Sequence, residues 1–263
     1  MQLHSVRSGE GKPVVLLHGL TATHRYVVMG STALQRAGHD VVAYDARGHG
    51  ASDPAPVSTA YTYDDLAADL EEQLDEAGFE RAVLAGASMG AHTAARFALE
   101  RPERVAGLVL VTPAFRPGPP DEAALAQGDA RAKGLREDGV EGFIRAYGDP
   151  GVSGAMRDTV LKVMRQRLSL HEHPDAVADA LQAVPRSSPF GSLDDLGSIA
   201  CPAVVVADRD EVDPGHPLAV GTAWSDAIGC RLVVEEPGQS PIAWQGGQLS
   251  RVISALTQEA YGG

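Results

Sequence analysis

Short apolar runs alternate with amphipathic stretches along most of this 263-residue chain. An uninterrupted aliphatic run predicts a strand buried on both faces of a sheet, and apolar residues at helical spacing predict an amphipathic helix. The runs predict strands at 13–17, 40–44, 81–85, 105–111, 203–207 and 231–234, with a weaker edge strand at 2–7. The spacing predicts helices at 26–37, 62–77, 92–99, 216–227 and 243–260. Such alternation predicts an α/β fold with a doubly wound, mostly parallel sheet of about seven strands and helices on both faces.

The alternation is interrupted between residues 116 and 186. No buried strand is predicted there, and helical patterns lie near 121–137, 140–147, 153–169 and 174–183. We therefore expect a core domain formed by 1–115 and 187–263, with a helical lid inserted at 116–186. Because a lid of this kind shapes a pocket and excludes water, a small-molecule substrate or ligand is expected beneath it.

The acidic excess of the chain limits its partners. The formal net charge is −13, whereas nucleic acids and anionic membranes bind basic surfaces, so neither is expected as a partner. The first residues show no signal-peptide pattern, and no run approaches the ~18 apolar residues of a membrane helix. We therefore expect a cytoplasmic protein that is a monomer or a homodimer.

One pentapeptide, Gly86-Ala87-Ser88-Met89-Gly90, lies between a predicted buried strand and a predicted helix. Glycine on both sides of a serine, at a turn from strand to helix, exposes a strained hydroxyl above a sheet edge. A lone pentapeptide of this kind is common by chance, so the rest of the chain has to support the interpretation.

Four segments resemble, in order, the motifs of the α/β-hydrolase fold superfamily, of the single-domain esterase and lactonase-like kind. Val14–Leu20 resembles its strand and oxyanion loop, and Asp45–Asp53 resembles its D-x-R-G-H-G-x-S turn. Gly86–Gly90 is similar to its nucleophile elbow, and Val204–Asp210 resembles its strand and acid turn. The resemblance covers nearly the whole chain and implies the α/β-hydrolase fold, begun one strand late.

The resemblance also implies a catalytic site. Ser88 would be the nucleophile, Asp210 the orienting carboxylate, and the backbone N–H groups of Leu20 and Met89 the oxyanion hole. The superfamily carries its base, a histidine, in a turn after the last strand, where this chain reads Glu236-Pro237-Gly238-Gln239. Gln239 therefore stands at the position of the general base.

A glutamine at this position leaves the serine proton without an evident acceptor. The carboxamide can accept a hydrogen bond from Ser88 and donate one to Asp210, so it can hold the resting geometry. It cannot take a proton, and loss of the histidine from a subtilisin-type triad costs about a factor of a million in turnover. Serine-esterase activity is therefore expected to be strongly impaired or altered unless another residue is the base. The alternatives are five histidines: His24, His92, His171, His173 and His216.

Three functions remain open from the sequence. The first is a serine hydrolase of a small ester, lactone or thioester. The second is a non-catalytic protein that binds a small molecule, and the third is a lyase or isomerase that uses Ser88 and the oxyanion hole without acyl transfer. No cofactor is implied. A metal-like cluster at His171, Glu172, His173 and Asp175 is better explained as a solvated group that caps a helix, so no metal site is expected.

Overall fold

Seven strands form the sheet in a computed structural model that describes residues 1–119, 121–152 and 154–262. In chain order they are β1 (Ser5–Ser8), β2 (Lys12–Leu17), β3 (His39–Tyr44), β4 (Ala82–Ala87), β5 (Val105–Val111), β6 (Ala203–Ala207) and β7 (Arg231–Val234). Across the sheet the order is β1-β3-β2-β4-β5-β6-β7, with β1 antiparallel to β3 and the other pairs parallel. The predicted doubly wound, mostly parallel α/β sheet is confirmed.

Helices cover both faces of the sheet. In chain order the α-helices of the described residues are α1 (Ala33–Arg36), α2 (Tyr63–Ala77), α3 (Met89–Glu100), α4 (Glu122–Tyr147), α5 (Gly154–Leu168), α6 (Pro174–Ala183), α7 (Leu218–Ile228) and α8 (Gly246–Gly262), of which α4 to α6 pack among themselves. Helices α2, α3 and α7 share a buried apolar cluster with Val15, and α1 and α8 share a second cluster with Val14. Because neighbouring residues of a strand point to opposite faces, the two clusters enclose the sheet from both sides.

The chain between β2 and β3 differs from its prediction. A helix was expected over 26–37, but the α-helix there spans only Ala33–Arg36, after a 3-10 turn at His24–Tyr26. Met29 and Gly30 both have positive φ, at 48° and 73°, which no right-handed helix accommodates. The apolar residues that suggested a helix, such as Val27 and Val28, are instead buried from an irregular loop.

Helix α2 shows why other boundaries were predictable. The side chain of Thr62 accepts a hydrogen bond from the backbone N–H of Asp65, and the Asp65 carboxylate accepts one from the backbone N–H of Thr62. This reciprocal capping box fixes the start of the helix. Gly78, at φ 69°, ends it in the left-handed conformation that glycine adopts without steric cost.

Three helices, α4 to α6, lie between β5 and β6 in the segment predicted to be helical. Helix α4 has a kink at Asp138 and Gly139, which separates the two helices predicted at 121–137 and 140–147. The three helices share a buried apolar cluster of their own. We refer to residues 116–186 as the helical insertion. No helix in the described part of the chain is long and apolar enough to cross a membrane.

Candidate active site

Strand β4 delivers Ser88 to a sharp turn before helix α3. Ser88 has φ 50° and ψ −112°, a conformation that a residue with a side chain rarely adopts. The glycines on either side permit the turn, because a Cβ on Gly86 would lie 2.2 Å from the carbonyl oxygen of Gly90, and one on Gly90 would lie 2.2 Å from that of Leu17. Close packing of strand and helix around one strained serine is the geometry of a nucleophile elbow.

His216 contacts the hydroxyl of Ser88. Its Nε2 atom lies 2.9 Å from Ser88 Oγ, and its Nδ1 atom lies 2.8 Å from a carboxylate oxygen of Asp213. The neutral tautomer that satisfies both contacts carries its proton on Nδ1, donates to Asp213 and accepts from the Ser88 hydroxyl. The three side chains therefore form a hydrogen-bonded serine–histidine–carboxylate triad, which we call the relay.

The charges around His216 favour its protonated form. Burial lowers the pKa of His216, but the hydrogen bond to Asp213 and the negative charges of Asp213 and Asp208 outweigh burial, so that the pKa is raised above its ordinary value. The positive charge of Arg167 opposes this rise. An imidazole whose charged form is stabilised in this way is a stronger base toward a hydroxyl proton.

Asp208 is a second carboxyl group beside the relay. It is completely buried, and neither of its oxygens has a hydrogen-bond partner of good geometry among the described residues. Burial, helped by the charges of Asp213 and Glu235, raises the pKa of Asp208 to about 7, and the backbone N–H of Ala243 offsets this only in part. Asp208 therefore gains its charge in the pH range in which the relay would work.

The predicted oxyanion loop lies against the elbow. A Cβ placed on Gly19 would lie 3.4 Å from the Cβ of Ser88, so the loop after β2 passes close to the serine. The backbone N–H groups of Leu20 and Met89 have no acceptor among the described residues. Thr21, the next residue of the loop, has φ 66°, which marks a strained turn.

The structure does not bring Asp210 and Gln239 to Ser88 as the sequence predicted. Asp210 is exposed and accepts a hydrogen bond of 2.7 Å from the backbone N–H of Leu218, so it caps the start of helix α7. Gln239 lies on an exposed turn, and its side chain makes no hydrogen bond within the described residues. No hydrogen bond joins Gln239 to Ser88 or Asp210 within the described residues, and the Ser88 hydroxyl contacts His216 instead.

The other candidate histidines have structural partners. His24 contacts Asp45 at 2.9 Å, and His92 lies against the Tyr63 hydroxyl at 2.8 Å and accepts from the backbone N–H of Ala114. His171 accepts from the backbone N–H of Gly50 and donates to the carbonyl of Thr21, which ties the helical insertion to the core. His173 begins helix α6. His216 was among the five candidates, but its distance from Ser88 along the chain gave no signal that it was the one.

One group of side chains has the spacing of metal ligands within the described residues. It consists of His4, His24 and Asp45, whose ligand atoms lie within 4.8 Å of one another. Asp45 is already engaged, because it accepts hydrogen bonds from the backbone and side chain of His24 and from the backbone N–H of Ala51. Burial raises the pKa of Asp45, but its hydrogen bonds with His24 and the nearby histidines outweigh burial and lower the pKa to about 2. The group therefore stabilises the turn after β3.

The fold and the elbow define the class of this protein. Residues 12–145 match the family model of the alpha/beta hydrolase fold. The chain belongs to this family.

Several of its relatives are hydrolases. The chain is 34% identical over 236 residues to 2-hydroxy-6-oxononadienedioate/2-hydroxy-6-oxononatrienedioate hydrolase 2 of Pseudomonas putida, a match that covers 84% of this chain and 80% of the relative. It resembles the structure of a thermophilic esterase from Thermogutta terrifontis with a TM-score of 0.80 and 26% identity, over 98% of this chain and 94% of that one. An enol-lactonase from Burkholderia xenovorans LB400 shares the fold, with a TM-score of 0.74 and 24% identity over 98% and 94% of the two chains.

Proposed function

We propose that this protein is a serine hydrolase of a small ester, lactone or thioester, with Ser88 as nucleophile, His216 as general base and Asp213 as orienting carboxylate. The observation that carries the proposal is the pair of contacts made by His216, 2.9 Å to Ser88 and 2.8 Å to Asp213. The same constellation recurs on unrelated folds and is recognised by geometry rather than by position in the sequence.

In the acylation step, the Ser88 oxygen attacks the carbonyl carbon while its proton moves to Nε2 of His216. The imidazolium that forms keeps its Nδ1–H bond to Asp213, whose negative charge stabilises it. The carbonyl oxygen becomes an oxyanion and accepts from the N–H groups of Leu20 and Met89. Each such donor contributes roughly 3 to 4 kcal/mol to the transition state.

Collapse of the tetrahedral intermediate completes acylation. His216 returns the proton to the leaving oxygen or sulfur, which departs as an alcohol or thiol and leaves the acyl group on Ser88. Water then attacks this acyl-enzyme with His216 again as base, and the acid is released. The impairment expected from Gln239 rested on the lack of a base, and His216 removes that reason.

The test is covalent labelling of Ser88 together with ester turnover. A fluorophosphonate reacts with a serine only when the hydroxyl is activated by a base. We expect stoichiometric labelling at neutral pH and hydrolysis of 4-nitrophenyl acetate, both lost in Ser88→Ala. Absence of both from the unaltered protein would favour a binding protein or a lyase and would overturn the proposal.

A further inference from the structure

The arginines of the helical insertion, apart from the exposed Arg116, fall into two groups. Five form salt bridges with carboxylates: Arg136 with Asp179, Arg145 with Asp138, Arg157 with Asp149, Arg165 with Glu141, and Arg186 with Asp129. Arg131 and Arg167 have no carboxylate within 4.0 Å among the described residues, although their Nε atoms are buried. In a chain with 35 acidic residues against 22 basic ones, part-buried guanidinium groups without a carboxylate partner are unexpected.

Arg131 has a substitute for a counter-ion, and Arg167 does not. The guanidinium of Arg131 lies 4.5 Å from the ring centre of Tyr147, so the ring face stabilises its charge. Arg167 donates to the hydroxyl of Thr21 at 3.0 Å, which is a neutral partner, and its Nε has no acceptor among the described residues. Burial lowers the pKa of Arg167 and of Arg131 alike, so the two arginines differ in their partners and not in the direction of this shift.

Arg167 also contacts the loop that approaches Ser88. Thr21, which accepts the hydrogen bond of Arg167, follows Leu20 in the oxyanion loop, and Gly19 of the same loop passes close to Ser88. The charge of Arg167 acts on His216, and the charge of Asp213 acts on Arg167. Arg167, which has no carboxylate partner among the described residues, is therefore hydrogen-bonded to the loop that carries the proposed oxyanion-hole N–H of Leu20.

We infer that Arg167 binds an anionic group of the substrate, so that the preferred ester, lactone or thioester carries a carboxylate. This inference rests on the proposed function and names its substrate class. A carboxylate accepts two parallel N–H bonds from one edge of a guanidinium, and in Arg167 the Nε–H has no acceptor among the described residues while Nη2, on the same edge, makes one hydrogen bond, to Thr21. Binding the anion would supply the counter-ion that the protein does not provide and would place the carbonyl over Ser88.

The experiment compares esters that differ only in charge. In the first pair the charge is on the acyl side: the 4-nitrophenyl half-ester of adipate, which has a free carboxylate, is compared with the same ester in which that carboxylate is a neutral amide. The other carries it on the alcohol side, as 4-carboxyphenyl acetate and 4-carbamoylphenyl acetate. Hydrogen bonds to a charged group contribute about 1.5–3 kcal/mol, so we expect kcat/KM to favour the anionic ester of at least one pair by about ten- to a hundredfold.

Substitution assigns that preference to one side chain. Arg167→Gln should abolish the preference, so that the ratio of kcat/KM for the anionic ester to kcat/KM for its neutral partner falls to about one. Arg165→Gln is the matched control, because Arg165 lies on the same helix but is paired with Glu141, and it should keep the preference. No anionic preference in either pair, or a preference that survives in Arg167→Gln, would overturn the inference.

Failure of this inference can be told from failure of the hydrolase function. If neutral esters are hydrolysed through Ser88 but charge has no effect, only the role of Arg167 is wrong. If no ester is hydrolysed, titration calorimetry of adipate with the unaltered protein still tests the site. We expect adipate binding that is lost in Arg167→Gln and kept in Arg165→Gln, and equal binding by the two variants would contradict the inference.

Discussion

Two neighbouring loops at one edge of the sheet differ in what they contribute to Ser88. The loop after β6, residues 208–217, carries His216, which contacts the serine, and Asp213, which contacts His216. The turn after β7, residues 235–241, carries Gln239 on an exposed surface. The resemblance placed the general base in the second loop, but the structure places a histidine from the first loop at the nucleophile.

The strand order explains why the β6 loop can replace the other one. Strand β5 separates β4 from β6, and the backbone N–H of Ser88 donates to Val111 at the end of β5, while that of Thr112 donates to Val206 on β6. The β6 loop therefore begins two strands from the elbow, and the β7 turn begins one strand further away. A relay depends on which side chains reach the serine, and a loop closer in the sheet can supply both of them.

The largest effect is expected from His216. In His216→Ala the Ser88 proton has no acceptor, and we expect kcat for a short-chain ester to fall by about 10⁵- to 10⁶-fold, which steady-state kinetics would measure. His173→Ala is the matched control, because His173 begins helix α6 and makes no contact with Ser88. A loss of less than about tenfold in His216→Ala would mean that another group is the base.

The next effect is expected from Asp213. In Asp213→Asn the side chain keeps its size but no longer stabilises the imidazolium or fixes the tautomer of His216, and a comparable change in a serine protease lowers kcat about 10⁴-fold. We expect a loss of about 10³- to 10⁴-fold in kcat with little change in KM. Asp210→Asn should change kcat and KM little, because an asparagine oxygen still caps helix α7. Equal losses in the two variants would contradict the assignment.

Asp208 should affect stability and the pH profile. Because its folded pKa of about 7 is above its ordinary value of 3.8, the folded state binds more protons than the unfolded state between these values, and stability falls as pH rises from about 4 to about 7. Asp208→Asn removes this penalty, so we expect the free energy of unfolding at pH 8 to rise by on the order of 2 to 4 kcal/mol, as measured by urea titration.

The same variant tests the electrostatics of the base. The charge of Asp208 raises the pKa of His216, and activity requires neutral His216, so kcat/KM should fall as pH falls through that pKa. In Asp208→Asn this acid limb should move to lower pH. If neither the acid limb of the kcat/KM profile nor the free energy of unfolding changes in Asp208→Asn, Asp208 is not charged beside His216.

The smallest effect is expected from Gln239. Because its side chain is exposed and has no partner in the described structure, Gln239→Ala should change kcat/KM by less than about threefold, within the range of ordinary surface substitutions. Gln239→His should change kcat/KM equally little. A large gain of activity in Gln239→His would show that the β7 turn, rather than the β6 loop, approaches Ser88.

Much of the fold could be predicted from the sequence because its signals are local. Aliphatic runs marked the buried strands, and Thr62, Asp65 and Gly78 marked the ends of α2. The elbow was also local, since Gly86 and Gly90 stand where a Cβ would lie only 2.2 Å from a backbone carbonyl oxygen. The helix expected at 26–37 failed because the apolar residues of a buried loop repeat at a similar spacing.

The partners of Ser88 could not be predicted in the same way. Ser88 and His216 are 128 positions apart, and no local pattern distinguishes His216 from the other histidines. The resemblance supplied an order of motifs, and that order pointed to Asp210 and Gln239. Only the three-dimensional arrangement shows that Asp210 caps a helix and that Asp213, three residues before His216, orients the imidazole.

The rate of fluorophosphonate labelling at Ser88 tests the role of the β6 loop most directly, because it reports activation of the hydroxyl without requiring the natural substrate. The unaltered protein, His216→Gln and Gln239→Ala would be compared at pH 8, with labelled Ser88 quantified by mass spectrometry. We predict that Gln239→Ala is labelled at the rate of the unaltered protein and that His216→Gln is labelled at least ~10³-fold more slowly. Rapid labelling of His216→Gln, or loss of labelling in Gln239→Ala, would contradict the assignment of His216 as the base.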